Sequence, residues 1–217
     1  MLVFDVLGSL LEEDTGQRVV VQVVLNLPTA AQQRFLDGWS ARFRDLVTLI
    51  RHGREPYRSS EDLYLQAAVE TAEEQSVPLP ARAAAELTRF GRSLEPFPEV
   101  PAALEALARR HPLVALTNAG CAQAFAMSRH AGLRWTTLLS GEVVQAYKPD
   151  ARMYQHAVDA LDLDPAACVF VAAHPWDLDA AGEHGFRTAY LDRSRDAGHA
   201  DYDFRAPDLA ALVPHLP

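Results

Sequence analysis

Three short apolar runs in this chain each end in polar residues, in the manner of strands that deliver side chains to one rim of a parallel sheet. Leu2 to Phe4 gives way to Asp5, with Gly8 and Ser9 just beyond; Leu113 to Leu116 gives way to Thr117, Asn118, Ala119 and Gly120; Cys168 to Ala173 gives way to His174, Pro175, Trp176 and Asp177. Apolar runs of this length bounded by turn residues read as buried strands breaking into loops. Helical patterns lie between and after them, at about Val100 to Arg110, Ala122 to Ala131, Ala151 to Leu161 and Leu178 to His184, several with Asp or Pro near the start. Such alternation predicts an α/β fold, a parallel sheet with helices on both faces joined by right-handed crossovers. Ligands of such sheets bind beyond the carboxyl ends of the strands, so Asp5, Thr117 with Asn118, and Asp177 are expected to converge.

One segment breaks the alternation. From about Asp14 to Leu94 the pattern is almost wholly helical, with helices expected at Thr29 to His52, Ser60 to Gln75 and Pro80 to Arg92. It reads as a helical cap inserted after the first strand, giving a core domain of residues 1–12 and 95–217 and a cap domain of residues 13–94, with the proline-dense Glu95 to Pro101 as the hinge. Trp39, Phe43, Tyr57 and Tyr64 in the cap are expected to be mostly core packing. The polar stretch from Arg193 to Asp203 is expected to be a surface loop before a last short helix.

Composition narrows the function classes. A chain of 217 residues holds one α/β core and one modest insertion, hence one active site. Its 29 acidic against 20 basic residues leave a net charge of −9 and no general basic field, so nucleic acid is not expected as a partner. Asp5 interrupts the first apolar run without a preceding basic segment, so no export signal is expected, and no apolar run approaches the ~18 residues of a membrane span. Cys121 and Cys168 form neither a CxxC nor a metal-ligand spacing, which makes reduced, cytoplasmic thiols the expectation. Of the 20 basic residues 19 are Arg, and the single Lys is Lys148. Codon preference with one survivor at random is the bland account of it; the alternative is a cation required at the same rim as Asp5 and Asp177.

A carboxylate at such a rim can serve as a covalent nucleophile, with a cation to hold it ionised and a second carboxylate to handle water. Unit charges about 4 Å apart attract by roughly 4 kcal/mol at an effective dielectric of 20, enough to keep Asp5 ionised if its desolvation is partial. The ordered segments FDVLGSL, LTNAG, YKPDARMY and FVAAHPWD resemble the motifs of the haloacid dehalogenase superfamily, and within it the L-2-haloacid dehalogenases, whose core is Rossmann-like and capped by helices. By that resemblance Asp5 is the nucleophile, Lys148 the fixed cation, Asp177 the water-activating carboxylate, Ser9 the hydroxyl that braces Asp5, and Thr117 with Asn118 the substrate-holding pair. Tyr154 matches a family tyrosine six places after the lysine. Trp176 and Tyr154 are candidates for the pocket wall, and His174 stands where these enzymes commonly carry Asn. The resemblance further implies a short 2-haloalkanoate as small-molecule partner, an aspartyl ester intermediate, 2-hydroxy acid and halide as products, and a homodimer.

Residues that depart from neighbouring families sharpen this. Phosphatases of the superfamily carry a second Asp where this chain has Leu7, and a Gly-Asp pair where it has Ala172 and Ala173, so no metal and no other cofactor is expected. The dehalogenases follow a cap tryptophan with an arginine that cradles the halide, whereas Ser40 follows Trp39 here, so either Arg42 or Arg44 reaches the pocket from another turn or the halide cradle is absent. Ala172 likewise replaces a family serine. Two alternatives therefore stand beside the dehalogenase: a binding protein that keeps the fold without turnover, and a phosphatase with shifted metal ligands.

Overall fold

The computed structural model describes residues 1–193 and 201–216. Strands β1 (Leu2–Phe4), β2 (Leu113–Thr117), β3 (Thr137–Ser140), β4 (Val169–Ala172), β5 (Arg187–Leu191) and β6 (Phe204–Ala206) form a parallel sheet in the order β3-β2-β1-β4-β5-β6. The chain winds from β1 through β2 to β3 on one side, then crosses to the other side of β1 for the remaining strands. β1 thus stands at the switch point, where an open α/β sheet leaves a crevice above its strand ends. Phe4 lies beside Ala115 and Val171, so the residues leaving β1, β2 and β4 emerge side by side.

Alternation along the strands supplies both faces of the sheet. Leu2, Phe4, Ala115 and Val171 belong to one apolar cluster, and Val3, Val114, Leu116 and Phe170 to a second on the opposite face. Helices cover both. Between β1 and β2 run α1 (Glu13–Val24), α2 (Thr29–Arg51), α3 (Ser60–Glu74), α4 (Ala81–Arg89), a 3-10 turn (Phe90–Ser93) and α5 (Val100–Ala108). The later crossovers carry α6 (Cys121–His130), α7 (Gly141–Val144), α8 (Ala151–Leu161) and α9 (Pro175–Glu183), and α10 (Leu209–Leu212) follows β6. No helix among the described residues is long and apolar enough to cross a membrane.

The helices before β2 pack by their own apolar stripes. Phe35, Trp39, Leu46 and Ile50 are the buried residues of α2, at helical spacing, and they meet Leu63, Tyr64 and Ala67 of α3 in one cluster. The Trp39 indole donates to the Tyr64 carbonyl at 3.0 Å, so its burial leaves no donor unsatisfied. Truncating such a side chain to Ala costs roughly 3–5 kcal/mol. α3 begins where the Ser59 hydroxyl accepts from the Asp62 amide, with Glu61 and Asp62 against the positive end of the helix dipole.

The structure adds elements that the sequence reading did not single out. α1 contains the run Val19 to Val21, poor helix material, yet it is helical because Val21 is buried beneath it and Glu13 and Asp14 occupy its first turn. β3, β5 and β6 extend the sheet past the three expected runs. Asp177 sits in the first turn of α9 rather than in the loop before it. Of the expected surface loop, positions 194–200 lie outside the described residues; β6 intervenes before the expected last short helix, α10.

Candidate active site

Asp5 extends β1 by one step, its amide donating to the Val171 carbonyl of β4 at 3.0 Å, which fixes the carboxyl at the sheet rim. The chain then turns sharply at Gly8, whose φ of +73° suits glycine. A Cβ there would stand 2.9 Å from His174 Nε2, so glycine also permits the imidazole to approach. Lys148 arrives from the loop between α7 and α8, where its amide donates to Asn118 Oδ1 at 2.7 Å. The loop after β2 thereby holds the lysine backbone.

The side chains meet as a closed network. Lys148 Nζ donates to Asp5 Oδ1 at 2.6 Å and to Asp177 Oδ2 at 2.5 Å, with both partners and the ammonium buried. Ser9 Oγ donates to Asp5 Oδ2 at 2.5 Å and accepts from the Ala173 amide at 2.8 Å. Tyr154 Oη donates to Asp177 Oδ1 at 2.5 Å. His174 Nε2 lies 3.1 Å from the Leu7 carbonyl and 3.6 Å from Asp5 Oδ2, and its ring stacks on Trp176.

These surroundings separate the two carboxylates. Burial pushes Asp5 up, but the charges of Lys148 and His174 and the hydrogen bonds from Lys148 and Ser9 outweigh it and hold Asp5 below the usual carboxylate range. Burial also pushes Asp177 up, the Asp5 charge adds to it, and Lys148 with Tyr154 offsets only part, so Asp177 stays above that range. Burial disfavours the Lys148 ammonium, yet its two anionic partners raise its proton affinity. One carboxylate is thus prepared as an anion and the other as a proton acceptor, the pattern that divides nucleophile from base in a carboxylate pair.

Above this network is a cavity of about 500 Å³. Asp5, Asn118, Lys148, His174 and Trp176 line it from the sheet side. Ser9, Thr117, Tyr154 and Asp177 do not: Ser9 braces Asp5, Tyr154 braces Asp177, and the Thr117 hydroxyl accepts from the Ala119 amide at 3.2 Å. A larger groove of about 700 Å³ between α1 and α4 contains none of these groups. Among the described residues no cluster of three or more His, Cys, Asp or Glu side chains is placed to hold a metal ion.

From the helical side the cavity is closed by residues that carry no motif. Glu13 and Gln17 come from α1, Ser40, Phe43, Arg44 and Arg51 from α2, and Tyr64 from α3. Phe43 and Tyr64, expected as core packing, stack on each other with centroids 3.9 Å apart and form part of the wall. Of the two arginines that were candidates to reach the pocket, Arg42 is turned away onto Glu70 at 3.1 Å and Glu74 at 3.4 Å, while Arg44 lines the cavity. Arg51 was missed. The spacing Ser40, Arg44, Thr48, Arg51 along one face of α2 is the signal that reveals it.

The chain resembles known proteins over most of its length. A haloacid dehalogenase-like hydrolase family model matches residues 1–185. The chain is 36% identical over 171 residues to the (S)-2-haloacid dehalogenase of Pseudomonas sp. (strain YL), which spans 73% of this chain and 74% of that one. The crystal structure of an L-2-haloacid dehalogenase superposes with a TM-score of 0.89 at 30% identity, covering 99% of this chain and 97% of the other. The L-2-haloacid dehalogenase of Xanthobacter autotrophicus shares the fold, with a TM-score of 0.82 at 19% identity over 98% and 96% of the two chains. The chain belongs to the haloacid dehalogenase-like hydrolases, in their L-2-haloacid dehalogenase branch.

Proposed function

We propose that this protein converts short 2-haloalkanoic acids to 2-hydroxy acids and halide through an ester on Asp5. The observation that carries the reading is the Lys148 ammonium between two buried carboxylates, at 2.6 Å from the one favoured as an anion and 2.5 Å from the one favoured as a proton acceptor. An Asp5 oxygen attacks the α-carbon, the carbon–halogen bond breaks, and halide departs with inversion. Ester formation removes the negative charge of Asp5, leaving Lys148 to answer Asp177 alone. Water then adds to the Asp5 carbonyl carbon, its proton passes to Asp177 and on to solvent, and the 2-hydroxy acid leaves. Lys148 already supplies the positive charge between the carboxylates, which supports a metal-independent reaction.

The same reading assigns Asn118, His174 and Trp176 to the substrate-facing wall and Ser9, Thr117 and Tyr154 to support behind it. It takes residues 1–12 and 95–217 as the catalytic core and 13–94 as the cap that excludes water from the cavity. The unpaired Cys121 and Cys168 suit a reducing, cytoplasmic setting, and exposed Val19 and Val23 on α1 offer an apolar face to a second copy in a homodimer. Single turnover of 2-chloropropionate in ¹⁸O water tests the chemistry. Unlabelled product with one heavy oxygen on the peptide containing Asp5 is expected; label in the first-turnover product with Asp5 unlabelled would make Asp5 a general base instead.

A further inference from the structure

The cap wall of the cavity holds a hydrogen-bonded chain that the reaction above does not use. Ser40 Oγ donates to Gln17 Oε1 at 3.0 Å, Gln17 Nε2 to Tyr64 Oη at 3.4 Å, and Tyr64 Oη to Glu13 Oε1 at 2.9 Å. All four residues line the cavity that contains Asp5. The chain begins at Ser40, where the resemblance leads one to expect a halide-cradling arginine, and it ends on a carboxyl. Three of its donors point toward that carboxyl, and Glu13 Oε2 is committed to no partner among the described residues. Oε2 faces the sheet rim: it lies 3.9 Å from the place of a Cβ on Gly8, which is itself 2.9 Å from His174 Nε2. A halogen displaced from an α-carbon held at Asp5 leaves into the cavity that Glu13, Gln17, Ser40 and Tyr64 also line.

Glu13 binds its proton more tightly than an ordinary glutamic acid does. Burial raises its proton affinity most, and the charges of Asp5 from the β1 exit and Asp14 from its own helix add to it, against the Tyr64 hydrogen bond from α3 and His174 from the β4–α9 loop. Arg44 of α2 borders the same cavity. An anionic substrate entering between these groups strengthens the preference for the neutral acid. Halides differ in what they ask of such a donor. Bromide is large, polarisable and leaves readily, whereas fluoride is small, accepts hydrogen bonds strongly, and leaves poorly unless a donor stabilises its charge.

Resting on the dehalogenase reading, we propose that Glu13 donates its Oε2 proton to the departing halogen, and that the pocket is thereby matched to 2-fluoroalkanoates. As the Asp5 oxygen bonds to the α-carbon, the carbon–fluorine bond breaks with its electron pair passing to fluorine, which takes the Glu13 proton. Glu13 regains a proton from solvent after the product leaves. Tyr64 is a positioning residue, whose bond to Oε1 places the proton on Oε2.

The test compares fluoride and bromide release from 2-fluoropropionate and 2-bromopropionate by the wild type, Glu13→Gln and Tyr64→Phe. Glu13→Gln is expected to lower fluoride release at least about 100-fold and bromide release at least about tenfold less than that, with an unchanged circular dichroism spectrum reporting an intact fold. Tyr64→Phe is expected to lower fluoride release selectively by about tenfold. In the wild type, fluoride release should fall as pH rises through a carboxyl titration that the bromide profile lacks. Equal loss of both activities in Glu13→Gln, or a wild type that releases bromide but no fluoride, overturns the proposal and leaves the dehalogenase reading standing. Absence of any halide release from either substrate removes both.

Discussion

The two walls of the cavity are built on opposite plans. On the sheet side every acid and base is held by another: Asp5 by Lys148 and Ser9, Asp177 by Lys148 and Tyr154, the Lys148 amide by Asn118. On the cap side the chain from Ser40 to Glu13 is joined by hydrogen bonds with no ion pair among the described residues, and Arg44 and Arg51 make none either. Burial separates them as well, since the Lys148 and Asp177 side chains have no accessible surface while Arg44 and Arg51 are exposed. A charge network that must work without water is self-satisfying because an unpaired buried charge is expensive. The cap wall meets a changing occupant and can leave donors uncommitted.

The comparison breaks first if the sheet wall is dispensable. Replacing Asp5 by Asn should lower halide release from 2-chloropropionate by at least about 10⁴-fold, because no other carboxylate lining the cavity contacts Lys148. Residual turnover above one per cent would mean that the cap wall carries the chemistry. Next in size is stability. Lys148→Ala leaves two carboxylates buried without their cation and should cost about 3–5 kcal/mol in urea unfolding, whereas Arg44→Ala should change stability by less than about 0.5 kcal/mol. Similar losses for the two would erase the distinction.

A finer division lies within the sheet wall itself. Tyr154→Phe removes a donor from Asp177 and none from Asp5, so it should slow ester hydrolysis about tenfold while leaving alkylation unchanged. Mass spectrometry at steady state would then find the adduct on Asp5 accumulating; equal slowing of both steps would show that the two carboxylates do not act separately. The smallest effect concerns pH and the cap wall. Glu13 holds its proton more tightly in the folded chain than at the ordinary value of 4.5, so its ionisation costs stability as pH rises from there through the folded value. Glu13→Gln should raise the Tm at pH 7 by no more than about 3 °C and leave it unchanged at pH 3.5. A lower Tm only at pH 7 would show Glu13 ionised and paired, as the sheet-side acids are.

The same contrast explains what could be read without coordinates. Asp5, Thr117, Asn118 and Asp177 leave or follow strands, and in a parallel sheet the strand ends are brought to one rim by register alone. Lys148 stood out because no other lysine exists in the chain. Glu13, Gln17, Tyr64 and Arg51 were missed because their side chains reach the cavity only through the rotational setting of α1, α2 and α3, which tertiary packing decides. Arg42 and Arg44, two places apart, show how much hangs on that setting: one binds Glu70 and Glu74, the other faces the cavity. β5 escaped notice because Arg187 and Thr188 open it, and its apolar character appears only over its last three residues.

The solitary lysine has a practical consequence for watching this molecule move. Apart from the α-amino group, Lys148 is the only primary amine in the chain, and its side chain is buried at the edge of the cavity. A small acylating reagent can reach that amine through the cavity that Arg44 and Arg51 border, whereas a bulky one requires local opening around it. Because Asp5 and Asp177 hold the amine as an ammonium, its acylation should be slow, and a further slowing when a small carboxylate is added, followed by intact mass, would report occupancy of the cavity on a protein that needs no engineered probe.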